Sequence, residues 1–197
     1  DQFSTFSTNQ IAALSSSGLA GLTTDQLQTL STEEFAAITP TSIKGLTTAL
    51  FSTLPSNDIA ALTTGQVAAL SYSQVVAMSS AQIGMLSTTQ IGALNVVQAA
   101  ALGPDDLAGF SPESIIALSS SAVSGLSTRA LSALTVSQAE AFTPAQINAM
   151  TSAQVQALTN GPLSGASAAA ATTTTATTSP ETATSAATAS DTSEQAQ

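Results

Sequence analysis

Residues Ser79–Leu94 read SSAQIGML-STTQIGAL, two successive copies of one eight-residue unit. Outward from this stretch the pattern [ST]-x-x-Q-[ILV]-x-A-L continues in phase, from Phe6 at one end to Thr151–Leu158 (TSAQVQAL) at the other. The closing position is apolar in all 20 units, from Phe6, Leu14 and Leu22 to Met150 and Leu158. The position three residues before it is apolar as well, with Ala99 and Ala139 the smallest occupants. Self-similarity at a fixed period is the mark of a repeat architecture, and it decides the fold class here.

The period excludes one long helix. Eight residues at 3.6 per turn overshoot two turns by about 80°, so the apolar stripe would circle the helix instead of forming one face. A strand fails too, because residues three apart point to opposite faces. Each unit must stop and restart. The first position is Ser or Thr in 17 units, with Pro55, Asn95 and Gly103 the exceptions. Three residues on, Gln recurs, as in Gln10, Gln26, Gln66, Gln74, Gln82, Gln90, Gln138, Gln146 and Gln154. Ser or Thr followed by Gln at that spacing is a capping box, in which side chain and backbone at a helix start satisfy each other.

Pro40, Pro104, Pro112 and Pro144 fall directly after the cap, where a missing N–H costs nothing. Asp25, Glu33, Glu34, Asp58, Asp105, Asp106 and Glu113 fall in the first turn, where the helix dipole favours acids. The expected fold is therefore all-α: a solenoid of helices about seven residues long, restarted every eight. Helices this short cannot stand alone and must stack, with contacts expected between nearest neighbours. The small residue before the closing one (Ala or Gly in 16 of 20 units) would let neighbours approach closely. A β-solenoid is the alternative, since Ile, Val and Thr are strand formers.

The solenoid is expected over residues 1–163. After the breaker Asn160-Gly161-Pro162 no apolar period remains, and residues 164–197 read as a disordered Ser/Thr/Ala-rich tail. Thr172, Thr173, Thr174, Thr175, Thr177 and Thr178 are candidates for O-glycosylation in that tail, with a bland linker the competing reading. The sequence opens at Asp1 with no Met and no signal peptide, which reads as a processed product or a part of something longer.

Composition narrows the function. Only 7% of residues are charged, against about 25% in ordinary soluble domains, so little electrostatic repulsion resists self-association. Two basic residues, Lys44 and Arg129, within a net charge of −10 exclude a phosphate-neutralising surface, so no nucleic-acid partner is expected. Residues 59–104 are uncharged, yet polar residues interrupt every apolar run and no transmembrane span is expected. The chain lacks His and Cys, leaving Ser without a base and zinc without its usual ligands. Asp105, Asp106 and Glu113 could form a weak Ca²⁺ site, but their phasing is explained by the helix dipole. No catalytic, cofactor-binding or metal-ligating residue is assigned, and Tyr72 reads as a surface residue.

The units Thr63–Leu70 (TTGQVAAL), Ser87–Leu94 (STTQIGAL) and Thr151–Leu158 (TSAQVQAL) resemble the octapeptide repeats of large bacterial exoproteins and adhesin-like surface proteins. The resemblance covers residues 1–158 and implies an extracellular or cell-surface structural role, with no catalytic residues carried over. It is compatible with a self-assembling subunit of a filament or surface layer. Phe3 and Phe6, in phase at the first units, are the candidates for self-association into a homo-oligomer or homopolymer. The alternative is a monomeric spacer or adhesin segment. A third role, a repeat surface that binds ice or polysaccharide, would use the threonines after the cap, such as Thr24, Thr48, Thr64 and Thr88, with surface glycans as possible partners.

Overall fold

A computed structural model describes residues 6–164 of the chain. It is a succession of very short helices, one per octad, with no strand among the described residues. The β-solenoid alternative is thereby set aside. The helices are shorter than the seven residues expected: most span four to six, as in α1 (Thr8–Ala12), α7 (Thr64–Ala69), α8 (Tyr72–Ala77) and α9 (Ser80–Ile83). The reason lies at the joints. Leu62 (φ −54°, ψ 134°) and Thr63 (φ −73°, ψ 157°) are both non-helical, so two residues of each octad turn the chain and six remain for the helix.

The caps form as the sequence predicts. Thr63 Oγ1 accepts from the Gln66 amide at 3.2 Å, while Gln66 Oε1 accepts from the Thr63 amide at 2.7 Å. The same reciprocal box recurs from Ser7–Gln10 to Thr151–Gln154. Among the exceptions, Asn95 caps through its own side chain, and at Gly103 the Asp106 carboxylate accepts the cap amide at 2.8 Å. Pro104, Pro112 and Pro144 open their helices. Pro40 does not open an α-helix: its octad closes as a turn followed by a 3-10 helix, Ile43–Gly45.

Nearest-neighbour stacking is corrected by the structure. Helix α7 packs on α10 (Thr88–Gly92), α10 on α13 (Pro112–Ala117), and α9 on α12 (Pro104–Ala108). Each helix thus packs on the helix three units away, in a superhelix with between three and four octads per turn. Apolar residues of the fifth and eighth positions line its axis, from Ile11 and Leu19 through Phe51 and Ile91 to Leu131 and Leu158, as one continuous core. Small residues where turns meet permit the approach. A methyl group on Gly45 would lie 1.9 Å from the Ser16 carbonyl oxygen, and one on Gly125 2.1 Å from that of Val96. Both contacts again join units three apart.

Helix α18 (Ser152–Asn160) runs longer than the others. Its last carbonyls are met from within and beyond: Thr159 Oγ1, in the helix itself, donates to the Val155 carbonyl at 3.1 Å, and the Leu163 amide just after it donates to that of Leu158 at 3.1 Å.

Candidate functional site: the glutamine row and the ends of the array

Glutamine at the fourth position has two jobs. Its Oε1 completes the capping box; its Nε2 points inward and donates to backbone carbonyls one superhelical turn earlier. Gln66 donates to Phe35 at 2.9 Å and Ile38 at 2.8 Å, which lie 31 and 28 residues back. Gln74 donates to Ile43 and Leu46, Gln98 to Val67 and Leu70, Gln138 to Leu107 and Phe110, and Gln146 to Ile115 and Leu118. Gln82, Gln90 and Gln154 make the equivalent bonds. These side chains are buried, with Gln66 and Gln98 wholly so. A buried amide is costly unless its hydrogen bonds are made. Here one side chain satisfies a helix start in its own unit and a helix end four units earlier.

The second job is what reading the sequence missed. A capping box needs only an acceptor, which Glu supplies as well as Gln. The prevalence of Gln over Glu at this position was the available signal that a donor is also required.

The row is interrupted. Ser42 still reaches the Leu14 carbonyl at 2.6 Å. Leu50, Asp58, Asp106, Ser114, Ala122 and Ala130 occupy the same position in other units. No described side chain donates to the carbonyls facing them, those of Leu22, Leu30, Met78, Leu86, Leu94 and Leu102. Asp106 is engaged elsewhere, accepting from Ser80 Oγ at 2.8 Å as well as from the Gly103 amide. Asp105 and Glu113 do not join it in a metal site: no group of three or more acidic, His or Cys residues among the described residues is placed to hold an ion. The backbone amide of Glu113 and the Ser111 hydroxyl hold the Glu113 carboxyl below its ordinary range. Burial pushes the Asp58 carboxyl above its own.

At the ends of the array the core is incompletely covered. Phe6, Leu14 and Leu22 are half-buried at one end, and Ile147, Met150 and Leu163 at the other, whereas the equivalent residues between them are buried. Gln10 and Gln26 make their capping boxes, and among the described residues no carbonyl accepts from their Nε2 groups. Phe3 and Thr172, Thr173, Thr174, Thr175, Thr177 and Thr178 lie outside the described residues, as does the expected tail beyond Ser164.

Thr48, Thr64 and Thr88 are exposed and Thr24 is half-buried. Thr24 and Thr48 stand three units apart on adjoining turns, as do Thr64 and Thr88. Thr48 and Thr64 are two units apart, which is about half a superhelical turn, so the four do not make one row. Tyr72 is on the surface, in company with Val76, Met85, Val96, Val97, Ile116 and Val136. No helix among the described residues is long and apolar enough to cross a membrane.

The chain matches the ALTTAQ repeat family over residues 1–32 and 59–96. The unmatched interval between them contains Glu34, Ser42, Leu50 and Asp58, four successive units without Gln at the fourth position. No curated protein and no solved structure gives a significant match. The comparisons and the structure together describe an all-α repeat protein.

Proposed function

We propose that this chain is a non-catalytic structural protein of the cell exterior that self-associates end to end into a filament or surface layer. The observation that carries the reading is the pair of half-covered core ends, with Phe6, Leu14 and Leu22 at one and Ile147, Met150 and Leu163 at the other. A superhelix whose core continues to both ends gains by covering each end with another copy. Two different surfaces meeting in this way form a heterologous contact, which propagates into a filament wherever the rotation between copies does not close a ring. The low charge leaves little repulsion to oppose it. The extracellular placement rests on the resemblance to octapeptide-repeat exoproteins.

The test is light scattering of the full chain over a range of concentrations, with negative-stain electron microscopy of the same samples. The reading expects uniform fibres whose mass grows with concentration, and their loss when Phe3 and Phe6 are both replaced by Asp. A particle that stays at 19.4 kDa at every concentration would overturn it and leave the monomeric spacer as the working answer.

A further inference from the structure

Because each helix packs on the one three units away, the described helices sort into stacks. One stack runs through α1, α4 (Thr32–Ala37), α6 (Ser56–Ala61), α9, α12, α15 (Thr128–Ser132) and α18, and it carries Glu33, Glu34, Asp58, Asp105, Asp106 and Arg129. A second runs through α2 (Ser16–Ala20), the 3-10 helix Ile43–Gly45, α7, α10, α13 and α16 (Val136–Glu140), and it carries Lys44, Glu113 and Glu140. The third runs through α5 (Thr48–Ser52), α8, α11 (Val96–Ala99), α14 (Ser120–Val123) and α17 (Pro144–Ala149). Its octads, 47–54, 71–78, 95–102, 119–126 and 143–150, contain no charged residue. Asp25 stands on the helix Thr24–Gln28, three units before α5.

Large apolar side chains gather at the middle of this uncharged stack. Tyr72 and Val76, four residues apart on one face of α8, are 49% and 54% exposed, and Val96 and Val97 on α11 are 43% and 55% exposed. Helices α8 and α11 pack on each other, so the four stand on adjoining turns. Single exposed apolar residues are ordinary, whereas an uncharged strip with an aromatic and three valines at its centre has the composition of an interface core.

Charge and composition say what covers it. Residues 164–197 hold no apolar residue larger than Ala, so the chain's own tail has nothing with which to fill the patch. A basic partner would be drawn to the acids of the other two stacks. Two copies of a chain with net charge −10 repel, and contact through either of those stacks brings acids that outnumber its one Arg or one Lys. The uncharged stack is the face on which two copies meet without that repulsion.

We propose that two copies pair side by side through this strip, about a two-fold axis that sets α8 of one copy over α11 of the other. Such a contact is isologous: the same patch serves both copies, and it closes at a dimer. It uses none of the residues at the ends of the core, so it is a separate contact from the end-to-end one.

The test therefore removes the end contact first. The full-length chain carrying Phe3→Asp and Phe6→Asp is sedimented over a range of concentrations, with and without Val76→Glu and Val97→Glu, and circular dichroism checks that each variant is folded. The end-blocked chain is expected to sediment at twice 19.4 kDa. The two glutamates are expected to raise its dissociation constant about a hundredfold or more, since like charges then face each other across the axis. If the glutamate variant does not fold, Val97→Cys in the end-blocked chain takes its place, the sequence having no cysteine of its own. A short bis-maleimide should link that variant into dimers and leave Thr88→Cys, exposed on the second stack, unlinked. An end-blocked chain that is monomeric at every concentration, a dimer indifferent to the glutamates, or equal linking of the two thiols would overturn the proposal. Failure of the end-to-end reading shows separately, as a wild-type chain that never grows beyond the dimer.

Discussion

Gln98 Nε2 lies 2.8 Å from the carbonyl oxygen of Leu70, a residue 28 positions earlier, while its Oε1 accepts the Asn95 amide at 2.9 Å. A second donation, to Val67 at 2.6 Å, completes the set. Gln98→Ala therefore strips the Asn95 amide and two buried carbonyls of their side-chain partner, for an expected loss of about 2–3 kcal/mol in urea unfolding. Gln10→Ala removes only a surface capping bond and should cost about 1 kcal/mol or less. Equal losses at the two positions would mean that the inward donation contributes nothing.

Gly125→Ala tests how closely the turns approach. Its methyl would meet the Val96 carbonyl oxygen at 2.1 Å, a backbone atom that can move only with its helix. Overpacking of this kind costs about 1–3 kcal/mol or more. Gly109→Ala is the control: its nearest neighbour is at 3.6 Å and its backbone is right-handed, so the change should be neutral or slightly stabilising. Thermal melts of both variants decide the matter.

Thr63→Ala removes the hydroxyl that accepts the Gln66 amide, and Thr63→Ser keeps it. The alanine variant should lose about 1 kcal/mol and the serine variant much less. A loss of the same size in both would point to packing of the threonine methyl instead of capping.

Deleting Ser87–Leu94 removes one whole octad. Gln98 would then face the carbonyls of Ile59 and Leu62, which are the partners of Gln90 in the intact chain. Circular dichroism should show the same helicity per residue and a cooperative melt at a somewhat lower temperature. Deleting Ser87–Gln90 alone puts every later cap and core residue out of phase. That variant should lose the cooperative transition, because core positions would meet polar ones across the turns.

Much of the local structure is legible in the order of residues. Ser and Thr at the first position, Gln at the fourth, and Pro104, Pro112 and Pro144 directly after their caps mark helix starts that the structure reproduces. Pro40 departs from the α-helix expected of it: its unit tightens into a 3-10 turn, whereas the Pro112 unit, which also carries Ser at the fourth position, stays α-helical. The inward half of the glutamine row is hidden in the sequence, because the capping box already accounts for Gln at that spacing. Phe6 stands out as an end residue, whereas Leu14, Leu22, Ile147 and Met150 resemble their buried counterparts in every local respect.

The sequence by itself determined the period, the helix starts and the residues that face inward, since caps, prolines and apolar spacing act within a few residues of one another. Tertiary structure decided the helix lengths left after each joint, the three to four octads per turn, and the partner of every inward amide. Those depend on the angle at which one short helix leaves the next. That angle is set where side chains of units three and four apart come into contact, and nothing within a single octad specifies it.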